Sequence, residues 1–266
     1  GVALAKGFQG RIGTRNSPSI FNRSFGKFQS WDGRVVTLET AVQRPFIDPK
    51  EHGFTSADTV TLVGLLNSKA IVPGTGKSYP TLFSEAGLTA APTLGHMGMA
   101  LGSFVRTRFA GDSAVDRYEA GDTTALTPSQ INGRNLFRGK ARCISCHSGS
   151  NYSDESFHNT NLADNNFGGT GPSSVKEYGR YIATGTRSDL GAFKTPGLRD
   201  VSKTAPYMHD GSRASLREVL ELYNAGSATV PMADPEMIPL GLTDSELTDL
   251  ENFMLGLDSN TVSGGN

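Results

Sequence analysis

Residues 141–149 read ARCISCHSG and hold both cysteines and one of the five histidines of a 266-residue chain. Cys143, Cys146 and His147 form C-x-x-C-H, the spacing at which two thiols each add to one haem vinyl group and the next residue lies under the iron as proximal ligand. A zinc site wants four ligands, and no second Cys or His pair stands at short spacing. A redox dithiol lacks the surrounding βαβ pattern, and a structural disulfide has no use for the histidine. The cluster therefore predicts covalent c-type haem. Such haem is attached outside the cytoplasm in bacteria, so a periplasmic or exported location is expected.

Around the cluster the chain reads as helix and loop. Three capping boxes mark helix starts, each pairing a side-chain oxygen with a Glu or Gln three residues on: Thr127–Gln130, with Pro128 at the first helical position, Ser215–Glu218 and Thr243–Glu246. After Ser215, the residues Leu216, Val219, Leu220 and Tyr223 share a face; after Thr243, Leu247, Leu250, Met254 and Leu257 do. Residues 56–68 and 92–110 are further predicted helices. Alternating strand patterns are scarce. The stretch 148–200 is rich in Gly, Asn, Ser and Asp with little period, a length of loop normally wrapped around something. The polar, turn-rich stretch 111–126 reads as a boundary.

Composition narrows the function classes. Hydrophobic residues make up 36% and glycine is heavy at 32, which suits a loop-rich globular chain. A net charge of -1 lacks the basic footprint of a nucleic-acid binder. No apolar run reaches the length of a membrane span. The opening GVALAKGFQG shows no signal-peptide pattern and reads as a mature or trimmed start.

The residue facing His147 across the iron decides the chemistry. Met with His suits electron transfer, and an oxygen ligand such as Tyr occurs in catalase. Of Met97, Met99, Met208, Met232, Met237 and Met254, the loop residues Met208 and Met232 are candidates by spacing, while Met254 sits on an apolar face and reads as core. Tyr223 competes, although a tyrosine in an apolar stripe is commonly core.

FKTPGLRDVSKTAPYMHDGSRASLREVLELYN, preceded by FRGKARCISCHSG, resembles the bacterial di-haem cytochrome c peroxidase and MauG superfamily, as do RNSPSIFNRSFGKFQSWDGR and RPFIDPKEHGF. The resemblance covers nearly the whole chain. It implies a mostly α protein of two cytochrome c-like helical haem domains with long loops. Residues 1–120 would be the remainder of the first, peroxidatic domain, incomplete at its N-terminus; residues 121–266 would be the second c-type haem domain. It implies that Cys143, Cys146 and His147 hold the electron-relay haem, that Trp31 couples the two haems, and that Glu51 moves peroxide protons beside Pro45. It assigns Asn16, Thr204 and Pro206 to calcium, the last two through backbone carbonyls. Its distal-ligand position, fourteen residues after His209, falls on Tyr223, where ordinary peroxidases carry Met and MauG-type members carry Tyr.

The implied function is a MauG-like peroxidase or oxidase that uses hydrogen peroxide and passes oxidising equivalents to an external substrate. Alternatives are a conventional peroxidase fed by a donor cytochrome and a mono-haem electron carrier. A homodimer fits the resemblance. Three departures stand out. Only one C-x-x-C-H occurs, so the first haem is expected from upstream sequence. A family Gln falls on Ala41. No His precedes His52, which implies an open first site. Of the other histidines, His209 is expected to pack near the haem or the domain interface, His52 to assist the distal pocket or lie at the surface, His96 to be core or interface, and His158 to face a propionate or solvent.

Overall fold

The computed structural model describes residues 1–68, 71–88, 91–161, 178–227 and 233–260. The described chain is mostly helical: α1 Leu38–Gln43, α2 Thr59–Ser68, α3 Tyr79–Glu85, α4 Leu94–Arg106, α5 Ala114–Glu119, α6 Pro128–Arg138, α7 Tyr181–Thr184, α8 Leu216–Ala225 and α9 Asp244–Leu255. Two short antiparallel strands, β1 Phe157–His158 and β2 Phe193–Lys194, pair within the 148–200 stretch.

The helix starts follow from their caps. Thr127 and Gln130 satisfy each other's free N–H groups at α6, and Thr243 and Glu246 do so at α9. At α8 only half the expected box forms. Ser215 accepts from the Glu218 N–H, but the Glu218 carboxylate reaches one residue further back, to the Ala214 N–H at 2.7 Å.

The C-terminal core is built on the crossing of α6 and α9. Gly133 makes the crossing close: a Cβ there would lie 1.9 Å from the Asp249 carbonyl oxygen. Phe137 and Phe253 meet beside it with ring centroids 5.1 Å apart, and Leu250 and Leu257 are fully enclosed. Helix α8 closes the third side through Leu216 and Leu220.

A helix occupies part of the stretch that reads as a polar boundary. α5 begins at a capping box of Ser113 and Asp116 and buries Val115 completely in the core of α6, α8 and α9. Ala114 and Tyr118 pack against the same core, but six residues are too few to show a period. Arg199 grips Asp116 with two 2.7 Å bonds, which holds the Asp116 carboxyl down to about 2.

In the N-terminal half, α1 packs on α4 across Gly98, where a Cβ would meet the Glu39 carbonyl oxygen at 2.9 Å. The halves are tied by polar bonds. Asn22, which exchanges two bonds with the backbone of Ala110, also donates to Asn151 Oδ1 at 3.1 Å, and the Asn16 N–H donates to the His209 carbonyl. In the Trp-Asp-Gly turn, fully buried Asp32 binds Arg15 at 2.7 Å. Gly33 has φ +66° there, and a Cβ would strike the Phe157 ring.

Two outcomes test this packing. Gly133→Ala forces a methyl group against a backbone carbonyl and should cost about 1–3 kcal/mol by overpacking, read as a lower Tm. The Asp116–Arg199 pair should stabilise fully above the ordinary aspartate value of 3.8 and fade as pH falls through about 2. Asp116→Asn should flatten that part of an acid-unfolding curve, and an unchanged curve contradicts the assignment.

Candidate haem centre

The C-terminal end of α6 positions the cysteine cluster. Arg142 takes the left-handed conformation, φ 55°, and turns the chain into a short 3-10 turn over Cys143–Ser145. The Cys143 carbonyl then accepts from both the Cys146 and His147 N–H groups, at 3.3 and 2.8 Å. The turn delivers both thiols and the imidazole to the wall of one deep cavity, about 1740 Å³ of space free of protein atoms with its solvent-facing mouth included. The predicted α8 face, Leu216, Val219, Leu220 and Tyr223, lines it together with apolar residues that include Leu250 and Met254.

These residues fit a covalent haem. The thiols are not joined as a disulfide, and burial pushes the Cys143 thiol up to about 12, so it stays a protonated thiol. The His147 Nδ1–H donates to the Tyr152 carbonyl at 2.9 Å. A carbonyl only accepts, so the proton sits on Nδ1 and the Nε2 lone pair is left for a metal. Burial also depresses the His147 value, which keeps the ring neutral, as ligation requires.

The other expected residues divide between two places. Trp31, Asn16, Thr204, Pro206 and His209 line the same cavity as Tyr223. Trp31 is held at both ends of its residue: its indole N–H donates to the Asn16 carbonyl at 2.8 Å, and its carbonyl accepts from the Lys194 N–H at 2.8 Å. His209 is buried and stacked on Phe193 at 3.8 Å. Pro45, Glu51, His52 and Ala41 lie away from this cavity in the N-terminal half. There His52 Nδ1 bonds the Pro45 carbonyl at 2.9 Å, and partial enclosure, aided by the Asp48 charge, pushes the Glu51 carboxyl up. His96 stands in α4 beside Phe83, with Met97 buried and Met99 exposed. Met208, Met237 and Met254 also reach the cavity; Met232 lies outside the described residues.

Two charged clusters, which reach the cavity wall through Lys194 and through His158 and Asp234, escaped the sequence reading. Lys194, 7% exposed, shares Glu155 with Arg23. His158 is held between Asp154 and Asp234, bonded to a carboxylate at each ring nitrogen, where solvent or a propionate was expected. The partners lie up to 132 positions apart, and only the Asp154–His158 spacing gives a local signal.

A family described as di-haem cytochrome c peroxidase matches residues 1–124. The methylamine utilization protein MauG of Methylorubrum extorquens is 35% identical over 258 residues, 96% of this chain and 67% of that protein. The chain belongs to the di-haem cytochrome c peroxidase and MauG family. Another member, cytochrome-c peroxidase IdrP1 of Denitromonas iodatirespirans, is 31% identical over 280 residues, 97% of this chain and 72% of that one. The crystal structure of a MauG-like protein associated with microbial copper homeostasis superposes with TM-score 0.83 at 28% identity, covering 98% of this chain and 80% of that one.

Membership makes the chain a haem-peroxidase oxidoreductase with c-type haem and the mostly helical, cytochrome c-like fold the sequence implies. No helix among the described residues is long and apolar enough to cross a membrane. In the 266-residue chain, whose one C-x-x-C-H is at 143–147, replacing Cys143 and Cys146 together with Ala should abolish haem that survives denaturation, read by haem staining of a denaturing gel. Covalent haem retained in that variant would place the attachment elsewhere.

Proposed function

We propose that this family member is of the MauG type: an exported enzyme whose haem on Cys143, Cys146 and His147 takes Tyr223 as its sixth ligand and relays oxidising equivalents from peroxide to an external substrate. The supporting observation is the Tyr223 phenol. It is directed into the haem cavity, no hydrogen bond from a described residue contributes to its titration, and burial raises its proton affinity well above that of a free tyrosine. A phenol so placed keeps its proton until a cation displaces it, because a bound metal inverts the local pKa logic. Bound haem c supplies a one-electron iron couple, and a phenolate oxygen favours its oxidised side.

The rest of the chain supplies position and polarity. Trp31, fixed between Asn16 and Lys194, is the proposed conductor toward the second haem of a di-haem family member. Glu51, with its raised carboxyl value, suits proton transfer at a peroxide site next to Pro45. Calcium is proposed at Asn16, Thr204 and Pro206. The Asn16 Nδ2 donates to the Val2 and Ala3 carbonyls, at 3.2 and 3.0 Å, which turns its Oδ1 away as an oxygen ligand for a hard cation.

The competing reading, a conventional peroxidase with Met as sixth ligand, draws on the methionines at the same cavity. Met254 is committed to the α9 core and is 7% exposed. Met208 sits at φ 71° in the loop after Tyr207.

Spectroelectrochemistry separates them. Tyr223→Met should raise the midpoint potential of this haem by at least about 60 mV, a tenfold change in a one-electron equilibrium. The variant haem should then accept electrons from a mild donor that leaves the native one oxidised. An unchanged potential would return the protein to the conventional class.

A further inference from the structure

We infer that His158 is a positioning residue for the haem on His147: an imidazolium clamped at the cavity rim beside Cys146, whose charge sets the reduction potential of that haem. The inference rests on the haem being attached at Cys143 and Cys146. It is independent of whether Tyr223 or a methionine is the sixth ligand.

One ring pins three chain segments. His158 Nδ1 lies 2.6 Å from Asp234 Oδ2, and Nε2 lies 3.0 Å from Asp154 Oδ2. Each carboxylate is itself held. Asp154 Oδ1 accepts from the Ser156 N–H at 2.9 Å, and the Asp154 N–H donates to the Cys146 carbonyl at 2.8 Å. Asp234 Oδ1 accepts from the Glu236 N–H at 2.9 Å, and the Asp234 N–H donates to the Asn159 carbonyl at 2.8 Å. The attachment turn, β1 and the 234–237 segment therefore meet at His158.

The geometry selects the protonated ring. Ionised carboxylates only accept, so a ring bonded to one at each nitrogen needs a hydrogen on both. The Cys146 sulfur, an Asp154 oxygen and a His158 nitrogen all lie within 4.8 Å of one another. Cys146, then Asp234 and Asp154, raise the His158 value against the opposing cost of burial, and the carboxylate at each ring nitrogen is independent of the sulfur. In a thioether the sulfur carries no charge, and the two carboxylates keep the proton. The other charged groups nearby do not replace them. Lys194 on β2 is committed to Glu155, and Glu236 turns to Arg142 at 2.6 Å.

The sign follows from charge. With the ring protonated, the cluster of one imidazolium and two carboxylates carries one net negative charge; with the ring neutral it carries two. More negative charge beside the porphyrin favours oxidised iron. The midpoint potential should therefore fall as pH rises through the His158 transition and stay level below it.

The test uses the haem-loaded protein and reads potential, not turnover. His158→Gln keeps hydrogen-bonding reach without the charge. It should lower the midpoint potential at neutral pH and remove the high-pH inflection, whereas a purely structural role would lower Tm and leave the inflection in place. Should His158→Gln fail to attach haem, Asp234→Asn decides. It removes one negative charge, so it should raise the potential and move the inflection to lower pH. Retention of the native potential and inflection in the haem-loaded variant overturns the inference. Loss of covalent haem in the cysteine variants, or a Tyr223→Met shift, reads separate residues.

Discussion

The hydrogen bond from His147 Nδ1 to the Tyr152 carbonyl is the constraint on which the centre depends. It decides which imidazole nitrogen is left to bind metal and fixes the plane of the ring. The carbonyl is held by the core. The Tyr152 ring stands edge-on to Phe137 and Phe253, at 6.0 and 6.4 Å, and Arg199 lies over its face. Phe137 and Phe253 in turn meet because Gly133 lets α6 and α9 approach closely. A glycine in a helix crossing thus reaches a metal ligand through two aromatic layers and one carbonyl.

The cavity that results is apolar in its depth and charged at its wall. Lys194 on the wall, with Arg23 and Glu155, forms a cluster of net positive charge; His158 and Asp234 on the wall, with Asp154, form one of net negative charge. Buried charges persist only where they are paired, and each cluster leaves one charge in excess. Such fixed charges act on a buried redox centre more strongly than surface charges do, because salt screens them less. The protein's share of the redox chemistry lies in these charges and in the choice of iron ligands, not in the haem itself.

Features carried by local spacing were legible in the sequence. C-x-x-C-H is a five-residue motif, the caps of α6 and α9 are four-residue motifs, and the α8 stripe of Leu216, Val219, Leu220 and Tyr223 follows helical period onto the cavity wall. The fold class followed from the family resemblance. Features made by distant pairing were hidden. His158 meets Asp234 across 76 residues and Arg23 meets Glu155 across 132, and nothing in a single sequence couples them. α5 is hidden because six residues, with Ala114, Val115 and Tyr118 inward, are too few to show a period, and its Arg199 grip comes from a distant residue. The Glu218 carboxylate takes the Ala214 N–H, one residue back from the expected partner, a difference the four-residue spacing does not distinguish.

The proposed Tyr223 coordination is what separates an oxidising relay from an ordinary electron carrier. Resonance Raman spectroscopy of the oxidised, haem-loaded protein, excited in a ligand-to-iron charge-transfer band, addresses that bond directly. Tyrosinate ring modes enhanced together with an iron–oxygen stretch, and lost in Tyr223→Phe, are the result expected. A spectrum without them, accompanied by the near-infrared charge-transfer band of a methionine sulfur on ferric iron, would contradict it.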